Sequence, residues 1–112
     1  MSDCLFCRIV AGEIPSDRVL EDDEIIAFRD ISPQAPTHVL IIPRRHVADS
    51  QALTDADAGL LAALFRGVRS VADAEGLRSY RIVSNTGAEA GQSVDHLHLH
   101  LLGGRPMSWP PG

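Results

Sequence analysis

The chain has 112 residues, 45% of them hydrophobic, and a formal charge of -5 with histidine neutral, values that predict one globular domain over residues 1–112 and exclude a general binder of phosphate backbones, so long nucleic acid is not an expected partner. All 10 basic residues are arginine, which excludes a P-loop lysine, a Schiff base and a lysine nucleophile. No stretch resembles a signal peptide or approaches the ~20 apolar residues of a membrane span, so a cytoplasmic protein without a membrane partner is expected.

In chain order, Cys4 to Ala11 reads as a short amphipathic helix with Leu5, Ile9 and Phe6 towards one face, closed by Gly12 and Pro15. Val19-Leu20 and Ile25 to Phe28 flank the acidic corner Glu21-Asp22-Asp23-Glu24, the pattern of two antiparallel strands around a turn. In the second strand Ile26, Phe28 and Asp30 share a side, which sets a carboxylate at the rim of an apolar face. The prolines of Ser32-Pro33-Gln34-Ala35-Pro36 forbid regular pairing, and the buried strand His38-Val39-Leu40-Ile41-Ile42 follows.

Thr54 through Glu75 carries the signs of the one long helix, with Thr54 and Asp57 as a capping-box-like pair and Gly76 at its close. Leu60, Leu61, Leu64, Phe65, Val68, Val71 and Ala72 recur at the spacing of a core stripe, so this helix is expected to cover a sheet. Tyr80 to Thr86 reads as a strand and Gly87 to Ser93 as a glycine-containing loop, while the tail Pro106 to Gly112 is too rich in proline for either regular element. The order predicts an α+β fold: an antiparallel sheet with one long and one short helix.

The last expected strand is His96-Leu97-His98-Leu99-His100-Leu101-Leu102. Side chains alternate along a strand, so three imidazoles share one face and start ~6.6 Å apart, close enough for two to engage one phosphate-sized group. A lone histidine on a half-exposed strand is an ordinary polar residue. Three at strand period opposite an unbroken leucine face point to chemistry, either as metal ligands or as a nucleophile and proton carrier near neutral pH, and spacing alone does not choose.

Several separated motifs resemble one family. The ladder matches His-φ-His-φ-His-φ-φ, with φ apolar, and Asp30 to His38, Gly91-Gln92-Ser93, Gly103-Gly104-Arg105 and Trp109-Pro110-Pro111-Gly112 accompany it in the same order. Together they resemble the histidine triad (HIT) family, in its Hint branch of purine nucleoside phosphoramidases. The resemblance implies a five-stranded antiparallel sheet in a homodimer whose sheet continues across the interface. It also implies a purine nucleotide substrate, a phosphoramidate whose hydrolysis passes through a covalent nucleotidyl-histidine and needs no catalytic cofactor; cleavage of dinucleoside polyphosphates, nucleotidyl transfer, nucleotide-binding without significant turnover and a metallohydrolase using the ladder as ligands are the alternatives.

By the same resemblance His98 is the nucleophile, His100 contacts phosphate oxygens, Ser93 contacts the leaving group and His38 relays protons. Phe6, Phe28 and Ile31 surround the base, Asp30 takes the ribose hydroxyls, and Asn85 with Gly91 and Gln92 lies near the phosphate. From the residues alone, Phe6 and Phe28 read as core, Asp30 as a turn cap and the glycines as turn formers. Cys4-Leu5-Phe6-Cys7 has no preceding strand, which disfavours a thioredoxin-like site and leaves zinc as the functional reading. Two thiolates need two further ligands, and His46 with His96 would complete a closed, structural site as in zinc-bearing relatives of that family. Arg44-Arg45 reads as a solvated pair rather than a phosphate clamp.

Overall fold

In the computed structural model, which describes residues 3–112, a short helix α1 (Leu5–Val10) precedes strands β1 (Arg18–Glu21), β2 (Ile25–Arg29) and β3 (Thr37–Pro43). The long helix α2 (Ala58–Ala74) follows, then β4 (Tyr80–Val83) and β5 (Leu99–Gly103). The strands form one 5-stranded sheet in the order β1-β2-β3-β5-β4, with every neighbouring pair antiparallel. The single-domain expectation over 1–112 includes Met1 and Ser2, which lie outside the described residues.

The alternation read from the sequence sorts the sheet into two faces. Ile25, Ala27, Val39, Ile41, Leu99 and Leu101 pack with α2 in one cluster, while Ile26, Phe28, Leu40 and Ile42 pack with Phe6 and Ile9 of α1 in another. Because β3 is buried along its whole length, the sheet is covered on both sides at its centre. At roughly 1.5–3 kcal/mol for each fully buried Val, Leu, Ile or Phe, these two clusters supply the main drive to fold.

The capping box is present: the Thr54 side chain accepts from the Ala56 N–H and Asp57 Oδ2 accepts from the Thr54 N–H at 2.9 Å. It opens a single 3-10 turn, Asp55–Asp57, so the α-helix proper begins at Ala58 rather than Thr54. Gly76 closes that end with φ +69°, a value costly for side-chain-bearing residues. Two expected stripe members are corrected: Leu61 and Phe65 are 38% and 43% exposed, and Ala63 and Gly67 are buried in their stead. A Cβ on Gly67 would stand 2.8 Å from Ile25 Cδ1, so the helix approaches the sheet through small residues and the bulkier side chains are rotated out.

Other boundaries also move. The first helix is shorter than Cys4–Ala11, with Cys4 as its N-cap, and Leu5 is exposed rather than core. β4 ends at Val83 rather than Thr86, and β5 begins only at Leu99, so of the three ladder histidines only His100 is in regular pairing. The face alternation nonetheless extends upstream, since Leu97 joins the α2 cluster and the rings of His96 and His98 both pack edge-on against Phe6. Among the described residues no helix is long and apolar enough to cross a membrane.

Gly104 follows β5 and lies against the proline loop. Its φ is +92° and a Cβ there would lie 2.9 Å from Pro36 Cβ, part of a rigid ring. Gly104→Ala is therefore expected to destabilise the fold by about 1–3 kcal/mol through backbone strain and overpacking together. A urea melt checks this; an unchanged midpoint contradicts it.

Candidate active site and metal centre

Cross-strand register brings the site residues to the α1 side of the sheet. His100 pairs with Leu40, which pairs with Phe28, so one row of the sheet carries histidine, leucine and phenylalanine on the same face. His38 lies two residues before Leu40 and reaches His100, with His38 Nε2 2.9 Å from His100 Nδ1. A cavity of about 240 Å³ opens beside them, lined by His98 and His100, by Phe6, Phe28, Asp30, Ile31 and Ser93 from the sequence-based set, and by Leu5, Ile9, Arg29, Leu40 and Val94.

The hydrogen bonds fix the ring tautomers. His98 Nδ1–H donates to the His96 carbonyl at 2.7 Å, which leaves the Nε2 lone pair for an incoming electrophile. The acceptor lies two residues upstream in the same segment. His38 Nδ1 accepts the Gln34 N–H at 3.0 Å, so the His38 proton is on Nε2 and is donated to His100 Nδ1, turning the other His100 nitrogen into a donor. Asp30, His38 and His100 also lie close enough to form a metal-ligand group, but this tautomer leaves His38 Nε2 no lone pair for a cation.

Asp30 fills two roles at once. Oδ1 accepts the Ser32 N–H at 2.8 Å as a turn cap, and Oδ2 is 3.5 Å from His38 Nε2 at the cavity rim. Asn85, Gly91 and Gln92 do not line the cavity. Gln92 instead ties the loop together, accepting from the Gly87 N–H and donating to the Ala48 and Val94 carbonyls, while Asn85 lies against Gly91. Arg44 and Arg45 are held by the Asp22 carbonyl and the Asp57 carboxylate, consistent with a surface role.

Burial, reinforced by the neighbouring His98 and His38, pushes His100 down to about 4. Burial also lowers His38, against the opposing pull of Asp30. Both rings are therefore neutral at neutral pH, as a donor chain through neutral imidazoles requires. Free imidazole titrates near ~6.5, so below that pH the unfolded chain binds more protons than the folded one and stability falls as pH falls towards His100's folded value. The urea midpoint should drop between about pH 6.5 and 4.5, and drop less in His100→Gln; identical pH profiles for the two proteins contradict the burial of a neutral His100.

A second constellation lies behind the first. The N-cap Cys4, Cys7 one turn later, His46 after β3 and the buried His96 bring four donor atoms within 4.8 Å of one another. Cys4 Sγ and Cys7 Sγ are 3.4 and 3.5 Å from His96 Nδ1, Cys7 Sγ is 3.3 Å from His46 Nδ1, and the two Nδ1 atoms are 3.2 Å apart. His96 Nε2–H donates to the Pro43 carbonyl at 2.9 Å, which aims the Nδ1 lone pair at the sulfurs. Tetrahedral zinc with sulfur and nitrogen ligands has donor–donor edges of about 3.3–3.8 Å, so the set fits a closed Cys2His2 site.

Leu5 and Ile9 were missed as lining residues because their period assigns them to the core; the apolar face of α1 borders the cavity as well as the core cluster. The spacing that places Leu5 four residues before Ile9 was the available signal.

A HIT domain family model matches residues 11–107, which includes the ladder and leaves out both cysteines. The chain is 50% identical over 111 residues to an uncharacterized HIT-like protein of Synechococcus elongatus, covering 98% of this chain and 97% of that one. It is 49% identical over 116 residues to a 14 kDa zinc-binding protein of Zea mays, covering 99% and 89%. Among solved structures, a HIT family hydrolase from Legionella pneumophila aligns with a TM-score of 0.96 and 54% identity over 98% of this chain and 100% of that one.

Proposed function

The chain belongs to the HIT domain family, and from that premise we propose that it is a nucleotide hydrolase that cleaves purine nucleoside phosphoramidates through His98. The observation that carries this reading is the ring orientation of His98: its Nδ1–H is committed to the His96 carbonyl, and the ring borders an open cavity, so the remaining lone pair has room to attack. The Legionella pneumophila relative described as a hydrolase supports the reaction class.

In the first step His98 Nε2 bonds to the α-phosphorus and the P–N bond breaks, its electron pair leaving with the amine nitrogen, which takes up a proton. Ser93, exposed at the cavity, hydrogen-bonds the leaving nitrogen and passes it a proton from solvent. The imidazolium so formed keeps its Nδ1–H on the His96 carbonyl. His100, primed as a donor by His38, stabilises the charge on a non-bridging oxygen. Water then attacks phosphorus and gives up a proton to solvent, the His98–phosphorus bond breaks with its electron pair returning to Nε2, and nucleoside monophosphate leaves. Phe6, Phe28 and Ile31 hold the base and Asp30 the ribose diol.

Cys4, Cys7, His46 and His96 would hold a zinc ion, which would supply structural cross-linking rather than a reactive site. In the assembled protein a second copy extends the sheet, a reading supported by β4 standing at the sheet edge and by exposed Leu61, Phe65 and Tyr80. Incubation with an adenosine and a guanosine phosphoramidate tests the activity: release of amine and monophosphate in equal amounts, unchanged by chelator added during the assay, is expected. Absence of monophosphate overturns it.

A further inference from the structure

The cavity beside the histidines, at about 240 Å³, is smaller than the roughly 300–1,000 Å³ usual for a pocket that encloses a small ligand. A second cavity of about 420 Å³ continues from it, sharing Leu5, Ile9, Phe28, Arg29, Asp30 and Ile31. This second space contains neither His98 nor Ser93; its far end is formed by Ile14, Pro15, Ser16 and Asp17. Resting on the nucleotide reading above, a phosphate at His98 and a ribose at Asp30 direct the base along the shared wall towards that end.

What waits there is a carboxylate. Asp17 is exposed, with its side chain at 73% relative accessibility, and its nearest charged neighbour is Arg29 Nε at 3.7 Å, too long for a hydrogen bond. Arg29 is held instead by Glu75, 2.6 Å from its Nη1, so the Asp17 oxygens are available to a ligand. The Ser16 hydroxyl is itself buried away from the cavity surface, and Ile14 and Pro15 offer no polar side-chain atom. Asp17 is the side chain at this end that can read the edge of a base.

We infer that Asp17 selects guanine over adenine as the base of the bound nucleotide. An ionised carboxylate only accepts hydrogen bonds. Guanine presents two adjacent donors, N1–H and the 2-amino group, which match the two carboxylate oxygens. Adenine presents the N1 lone pair beside its 6-amino group, so one oxygen faces a lone pair and the fit is lost. Hypoxanthine keeps N1–H and lacks the 2-amino group, which places it between the two.

Calorimetric titration of the full-length protein with GMP, IMP and AMP tests the assignment. GMP should bind at least about tenfold more tightly than AMP, as expected for hydrogen bonds to a charged acceptor, with IMP between. Asp17→Asn presents one acceptor and one donor, the complement of adenine, so the GMP preference should collapse or reverse while AMP binds no more weakly than before. Asp17→Ala should erase the difference between GMP and AMP. Equal affinity of the unmodified protein for the three nucleotides, or a preference retained in both variants, overturns the role of Asp17 and leaves the nucleotide reading standing. Failure of every nucleotide to bind overturns that reading and this inference with it.

Discussion

Replacing His98 with alanine is expected to lower turnover of a nucleoside phosphoramidate by about 10⁴-fold or more, while the monophosphate product still binds. The two readouts separate because the groups are different. On the proposed reading, affinity comes from Phe6, Phe28, Ile31 and Asp30 along the cavity wall, whereas bond-making requires one lone pair that no neighbouring ring supplies: His100 Nδ1 accepts from His38, and His96 Nδ1 faces the cysteines. Phosphoramidate turnover by continuous assay and monophosphate affinity by calorimetry check the prediction. Turnover within tenfold of the unmodified protein contradicts covalent catalysis by His98.

The second large effect concerns the metal centre. Replacing Cys4 and Cys7 together with serine should abolish zinc content and lower the melting temperature by about 10 °C or more, since loss of a structural metal costs several kcal/mol and each kcal/mol shifts a domain of this size by about 4 °C or more. The cluster ties three separate segments together: the start of α1, the turn after β3 and the segment leading into β5. The chemical step should survive at temperatures where the variant remains folded, because His98 and His100 are not ligands. Metal analysis and thermal melts measure the first two effects and a single-turnover rate the third. An unmodified protein that binds no metal, or a doubly substituted protein with an unchanged melting temperature, rejects the zinc assignment.

Much of this site is legible in the sequence because strand alternation is a strict geometric rule. The leucines of the ladder enter the α2 cluster and the histidines take the other face, even though regular pairing begins only at Leu99. The Cys-x-x-Cys spacing likewise sets both sulfurs at one end of a short helix, where His46 and His96 meet them. Helical period is less decisive. A 3.6-residue stripe has flanks, and for Leu61 and Phe65 the deciding fact is the close approach permitted by Gly67 and Ala63, a property of the packed pair of layers.

Other features depend on tertiary partners that local pattern does not encode. The carbonyl that orients His98 comes from the backbone, whose direction no side-chain pattern reveals. Asp30 satisfied both expectations, turn cap and cavity rim, because its two oxygens point to different partners. Leu5 looked like core and is cavity wall. Gln92, adjoining the glycine loop, is spent on backbone groups that only folding brings near it. Asp17 carried no signal, being one acidic residue among many until the turn after α1 set it at the far end of the cavity.

The most direct measurement is rapid-quench mass spectrometry after brief exposure of the protein to a nucleoside phosphoramidate, with peptide mapping of any adduct. A nucleotidyl group on His98, appearing before product and lost as monophosphate accumulates, is the expected result. Product formed without any adduct, or an adduct on another residue that forms and decays at the turnover rate, would contradict attack by His98.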